Sequence, residues 1–447
     1  MSSYPDCRCA VEGRPEAVRR WLPAAILLMV VNVGWGAETP SAAAAISLAR
    51  EAAAAAEAKD PVAYLELMER AVALRPDFPR ILVNTASAQL ANGRKEDAIA
   101  TLHRLAALGL SSPVEKSADF ASLRGLPEFE AVVRKLAGNL QPRGAGQIAF
   151  SLPDVTGLIE GIAWREKTGA FFFGDVNGRA VWQRGANGVL KRFTPETDEL
   201  LGVFGLLVDE ERQALWATCS AVSAMRGFRP DQDGTAALAE IDLETGVLRQ
   251  VVPLIRAPGD RDSHVLGDLT MSADGVIFLS DSGASKIWQF PPGGKGLELF
   301  AESSELMSPQ GIVALPDGEH LIVADHANGL LVVNRRTRTA SRMPVPADTT
   351  LIGLDGLAIS PAGALLAIQN GLRPNRVLRI GLEAEAAGVA EVTVLESAHL
   401  TMAAPSLGCM GPNGAFHFVG NAGWTRFENT DGAPSAPRTV PIFRTQP

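Results

Sequence analysis

The chain has 447 residues, is 47% hydrophobic and 20% charged, and carries a formal net charge of -9. That length calls for two or three structural units, and that composition excludes global disorder. A mildly acidic chain lacks the basic face that nucleic-acid binding needs, and it contains no zinc-finger spacing, GxxxxGK[ST] loop, HExxH or GxSxG.

In chain order, Arg14, Arg19 and Arg20 precede the apolar run WLPAAILLMVVNVGWGA at residues 21–37, followed by the polar ETPS. A basic flank, an apolar run and small residues at Gly34, Gly36 and Ala37 form a secretory signal over residues 1–37. The run is about as long as a minimal membrane span, so an uncleaved anchor is the alternative. Either way the body is expected to be exported, to the periplasm or beyond, and to meet the membrane only through residues 21–37. Of the 4 Cys, Cys7 and Cys9 lie in this segment, while Cys219 and Cys409 stand far apart. This is no disulfide framework, and the latter two read as small buried thiols.

Residues 42–138 are rich in helix formers with apolar spacings of three and four. In ILVNTASAQLANGRKEDAIATLHRLAALG one helix stops at Asn92-Gly93 and another restarts at Lys95. Pro127 opens a further helix that ends at Gly138. Ala86, Leu90, Gly93, Ala98 and Leu105, with Pro76 at a repeat end, resemble tetratricopeptide repeats. The resemblance spans about two degenerate units, and implies either a protein-partner surface or a helical spacer. NLQPRGAG at residues 139–146 reads as a linker.

From residue 147 the sequence becomes β-branched runs separated by Gly turns. One phrase recurs, beginning near Ile159, Phe204, Leu266, Ser308, Leu354 and Pro405, at intervals of about 45 residues with a longer gap in the second unit. Each copy is an apolar strand, a Gly turn, a second strand, a polar turn and further strands. Six copies predict a mainly β fold, a six-bladed β-propeller over 147–447 behind an N-terminal α-helical domain. QIAFSL near Gln147, or TVPIFR near Thr439, completes the last blade and hides an edge.

The repeat register aligns Glu160, Phe204, Gly267, Gln310, Asp355 and Ser406 at the channel, followed by Gly161, Gly205, Asp268, Gly311, Gly356 and Leu407. Three carboxylates and an amide from four blades therefore converge. Such an oxygen-only set suits Ca²⁺, with Mg²⁺ or Mn²⁺ as alternatives; without a cation the carboxylates raise one another's pKa.

The phrases EGIAW, GDLTMSADG, PQGIVALPDG and DGLAISPAG resemble the channel motifs of the gluconolactonase/regucalcin family of six-bladed propellers, with more distant likeness to paraoxonases and strictosidine synthase-like proteins. The resemblance covers residues 147–447. It implies a divalent cation at the channel mouth and hydrolysis of a lactone or related ester. Glu160 and Asp355 match the family's acidic ligands. Gln310 stands in place of a usual Asn, and Gly267 in place of another, with Asp268 beside it. The implied metal set is Glu160, Asp268, Gln310 and Asp355.

For catalysis the candidates are Asp355 or Asp268 as general base and His264 for proton transfer. His326 reads as a loop residue. Asp175, Asp281 and Asp325 each end a second strand and read as turn formers, with Gln369, Asn370 and Asn421 at equivalent places. Trp164, Trp182, Trp216 and Trp288 read as packing. Residues 223–237 form an insertion in the second unit. The competing function is a non-catalytic binding or assembly protein of the cell envelope, for which SPQGIVALPDGEHLIVADHANG also resembles NHL-type binding propellers.

Overall fold

The computed structural model describes residues 42–428, 430, 432–433 and 435–447. The signal or anchor reading of residues 1–37, with Cys7 and Cys9, lies outside the described residues. Among the described residues no helix is long and apolar enough to cross a membrane.

Five α-helices come first: α1 (Ala42–Glu57), α2 (Pro61–Leu74), α3 (Pro79–Ala91), α4 (Lys95–Ala107) and α5 (Pro127–Gly138). Proline opens α2, α3 and α5, where its missing N–H costs nothing. Asp60 caps α2 by accepting from the Ala63 amide at 3.0 Å. After α3 the chain turns at Gly93, whose φ of +75° favours glycine, and α4 restarts at Lys95. Each helix packs on the next, α1 to α3 around Ala45, Met68 and Ile81 and α3 to α5 around Leu82, Ala86, Leu102, Leu105, Phe120 and Phe129. This is a helical layer; its likeness to tetratricopeptide repeats remains one of sequence.

The rest is a six-bladed propeller of antiparallel sheets. The innermost strands are Ile159–Arg165, Gly202–Asp209, Leu266–Met271, Pro309–Ala314, Leu354–Ile359 and Gly408–Met410, in blades one to six. Each lies against the next, and the sixth against the first, which closes the ring. Both expected closing segments share the last blade: Arg438–Thr445 is its third strand and Gln147–Val155 its fourth, with Leu152 opposite Val440.

Residues 139–146 are more than a connection. Asn139 donates to the Ala106 and Leu110 carbonyls, and Arg143–Gly144 adds a fifth strand to blade five opposite Glu396 and Ser397. The helical layer docks on blades four and five. Arg75, fully buried after α2, donates to Asp77 and to Asn328 Oδ1, and Arg342 of blade four also reaches Asp77. Arg376 of blade five donates to the Leu108 carbonyl just past α4.

The turn carboxylates are pinned as their recurrence predicts. Asp175 accepts from the Leu158 and Gly178 amides, and Asp325 from those of Met307, Ser308, Ala327 and Asn328. Gln369 holds the Thr350 and Ile352 carbonyls. Trp182 and Trp288 each donate from Nε1 to the Asp seven residues earlier, Asp175 and Asp281. The free thiol of Cys219 is inert, burial pushing it up to about 12.

Candidate functional site

Five of the inner strands share one irregularity. In blades one to five the pairing with the second strand slips after Ile159, Val203, Leu266, Pro309 and Leu354, so two inner residues oppose one outer residue. The bulged pairs are 160–161, 204–205, 267–268, 310–311 and 355–356. These are the two columns of the repeat register, so the bulge is what turns these residues onto the channel wall.

A bulge strands a backbone amide, and side chains on the second strands take it up. Thr218 Oγ1 accepts from the Gly205 amide at 2.8 Å and donates to the Gly267 carbonyl of the next blade at 3.3 Å. Ser280 Oγ accepts from the Asp268 amide at 3.2 Å and donates to the Gln310 carbonyl. Ser406 joins blade six to blade one through the Glu160 carbonyl at 2.9 Å. The glycines of the second column permit this closeness: a Cβ on Gly161 would lie 2.0 Å from the Phe204 carbonyl oxygen.

At this end of the channel lies a cavity of about 230 Å³. It brings together all four expected ligand positions, Glu160, Asp268, Gln310 and Asp355. Glu160 Oε2 accepts from Trp424 Nε1 at 2.8 Å. Asp268 Oδ2 accepts from the Ile312 amide at 3.4 Å. Asp355 Oδ2 accepts from Asn370 Nδ2, which also donates to the Pro405 carbonyl. Gln310 is held through Nε2 by Ser308 Oγ at 3.0 Å. A Cβ at Gly267 would meet only Gln310 Oε1, at 3.7 Å, so the missing side chain leaves open space beside that oxygen.

Burial pushes Glu160 well above the ordinary carboxylate range, and the charges of Asp355 and Asp268 add to the rise. Burial also pushes Asp268 up to about 8, against the pull of its backbone donors and with a further push from Asp355. Asp355 is raised by burial too, and His326 and Asn370 offset part of it. Among the described residues no Arg or Lys lines the cavity to balance these groups. A divalent cation fits this donor chemistry and charge. Among the described residues, however, no three His, Cys, Asp or Glu side chains converge closely enough in this arrangement to hold one.

Placement differs from expectation at three residues. His264 does not face the cavity: it is fully buried, Nδ1 donating to Asp281 Oδ2 at 2.6 Å and Nε2 lying 3.2 Å from Asp260 Oδ2. Its ring edges against Trp288, so it braces a turn. Conversely His326 lines the cavity, where burial lowers its pKa against the opposing charge of Asp355. Asn370 is likewise a cavity residue, because Gln369 takes the turn position. Phe204 lines the cavity from its place in the register, while Trp424 and Ser282 also line it and were not singled out from sequence.

No family model and no curated protein matches the chain. Among solved structures it is similar to a gluconolactonase from Xanthomonas campestris, at 18% identity and a TM-score of 0.44, covering 67% of this chain and 94% of that one. It is similar to the calcium-binding protein regucalcin from Agrobacterium tumefaciens, at 13% identity and a TM-score of 0.46, covering 68% and 95%. It is also similar to virginiamycin B lyase from Staphylococcus aureus, at 15% and 0.44, covering 62% and 82%.

Proposed function

We propose that this chain is an exported hydrolase of small lactones or related esters, of gluconolactonase-like type, that works with a divalent cation, Ca²⁺ before Mg²⁺ or Mn²⁺. The observation that carries the reading is that Glu160, Asp268 and Asp355, from three blades, line one cavity, with no Arg or Lys beside them among the described residues. The motif resemblance of residues 147–447 supports it, and the segment at 21–37 supports export.

Glu160, Asp268, Asp355 and Gln310 Oε1 are the groups that would hold the cation. When bound, it polarises the ester carbonyl and stabilises the oxyanion. The chain's own residues supply the rest. Trp424 orients Glu160, and Asn370 orients Asp355. Asp355 and Asp268 are placed to take a proton from water, and His326 stands beside Asp355 to pass it on. Phe204 and Trp424, with ring centroids 6.0 Å apart, keep water from one wall.

Thermal melting against Ca²⁺, Mg²⁺ and Mn²⁺ tests this. A rise in melting temperature with cation concentration, abolished in Glu160→Gln and Asp355→Asn, is expected together with turnover of lactones or aryl esters. No rise with any of the three removes the cation from the reading. A non-catalytic binding protein, with a partner on the helical layer, is the second reading. It is favoured by one observation: among the described residues no three His, Cys, Asp or Glu side chains converge closely enough to hold a cation. A folded chain that turns over no lactone or ester, with or without the three cations, would favour it.

A further inference from the structure

The cavity lining is mixed. Gln310, His326, Asp355 and Asn370 stand on blades four and five, and Glu160 and Asp268 on blades one and three. Beside Glu160 and Asp268, Phe204, Val265 and Trp424 form an apolar wall, one cluster with Leu158, Val176 and Ala224 behind. Ala224 comes from the insertion at 223–237, so that insertion backs the apolar wall.

The amide donors of the lining are already committed within the protein. The Asn370 amide N–H is spent on Asp355 and Pro405, and that of Gln310 on Ser308. Among the described residues no Arg or Lys lines the cavity to meet a carboxylate or phosphate. At about 230 Å³ the space is below the usual range for drug-sized ligands.

We infer that the site takes a small uncharged lactone or ester with one apolar substituent, and that Phe204, Val265 and Trp424 hold that substituent. Anionic lactones are poor substrates. The carboxylate formed on ring opening is expelled by the same groups that admit the neutral ring. The inference rests on reading the cavity as a hydrolase site.

The test uses the full chain with Ca²⁺ present. Hydrolysis is followed for δ-lactones bearing alkyl groups of increasing length, beside a polyhydroxylated and a carboxylated lactone. Binding of alkyl-substituted cyclohexanones, which cannot be hydrolysed, is measured by calorimetry. We expect kcat/KM to rise, and ketone Kd to fall, by about fourfold per added methylene until the wall is covered. Phe204→Leu should flatten both trends. The wild-type series alone decides the matter if that variant does not fold. Lactone hydrolysis that ignores chain length, or favours the polyhydroxylated ring, overturns the inference and leaves the hydrolase reading standing. Ketone binding with the length trend but no turnover supports the apolar wall and overturns the hydrolase reading. No binding and no turnover overturns both.

Discussion

Trp424 Nε1 donates to Glu160 Oε2 at 2.8 Å across 264 residues of chain, joining blade six to the acidic residue of blade one. This donor opposes the rise that burial and two neighbouring carboxylates impose on Glu160. It is a charge-assisted bond in a confined site and favours the ionised form, the form that binds a cation.

Trp424→Phe keeps most of the ring and deletes the donor. Glu160 then holds its proton to higher pH, so protons compete better with the cation. Calcium titrations by thermal melting should show affinity falling by about tenfold near neutrality, from a bond of roughly 1.5–3 kcal/mol. The loss should shrink as pH rises. Equal affinity at every pH would show that the indole only packs.

The glycines of the inner strands separate into two kinds. At Gly161 an added Cβ would lie 2.0 Å from the Phe204 carbonyl oxygen, a backbone atom that cannot turn aside. At Gly267 it would meet nothing nearer than 3.7 Å. Gly161→Ala should therefore cost about 3 kcal/mol or more, by forcing blades one and two apart. Gly267→Ala should cost less than about 1 kcal/mol. Urea denaturation of the two variants measures both, and similar midpoints would contradict the ring geometry.

Most of the fold was legible because the repeat is written in glycine. Four of the six inner strands, at Gly161, Gly205, Gly311 and Gly356, carry a residue without a Cβ where the next blade passes, and those four mark the register. The same register found Glu160, Gln310 and Asp355. The bulge was not legible, since it exists only in the pairing of two strands. Trp424 escaped because it lies on a loop of the last blade with no counterpart in the others. Asn370 was taken for a turn residue because Gln369, one place earlier, fills that role. His264 looked catalytic from its place before an inner strand, but Asp281 had already claimed it. The cue was present: Asp281 precedes Trp288 by seven residues, as Asp175 precedes Trp182.

His264 should matter for stability and not for chemistry. Its bond to Asp281 raises its pKa above the ordinary 6.5, with Asp260 adding to the rise. Burial raises Asp281, but His264, Trp288 and the Val265 amide outweigh it and hold the carboxyl below 3.8. The imidazolium's contribution is complete below pH 6.5 and is lost as pH rises through its elevated value. The carboxylate's contribution is complete above pH 3.8 and is lost as pH falls through its depressed value. His264→Gln should thus lower stability most between pH 3.8 and 6.5, by about 2 kcal/mol. The gap should narrow in mild alkali. Thermal melts across pH measure it, and kcat of the folded variant should match the wild type. A fall in kcat with unchanged melting would return His264 to the chemistry.

The seam between helices and propeller turns on one buried cation. Arg75 has no exposed surface; its guanidinium bonds both oxygens of Asp77 and, across the seam, Asn328. Arg342 of blade four completes the pair from the other side. Arg75→Ala leaves a cavity and an Asp77 balanced by Arg342 alone, at a cost of about 3–5 kcal/mol. Because that cost falls on the junction and not on either core, the helical layer should lose its coupling to the blades. The five Trp after residue 40 all lie in the propeller, so their fluorescence reports the blades while far-UV dichroism at helical wavelengths reports the layer. In the wild type the two urea transitions should coincide. In Arg75→Ala the helical signal should melt first, by a margin that grows with the loss of the Asn328 contact. Coincident transitions in the variant would mean that Arg376 and the strand at Arg143–Gly144 hold the layer without Arg75.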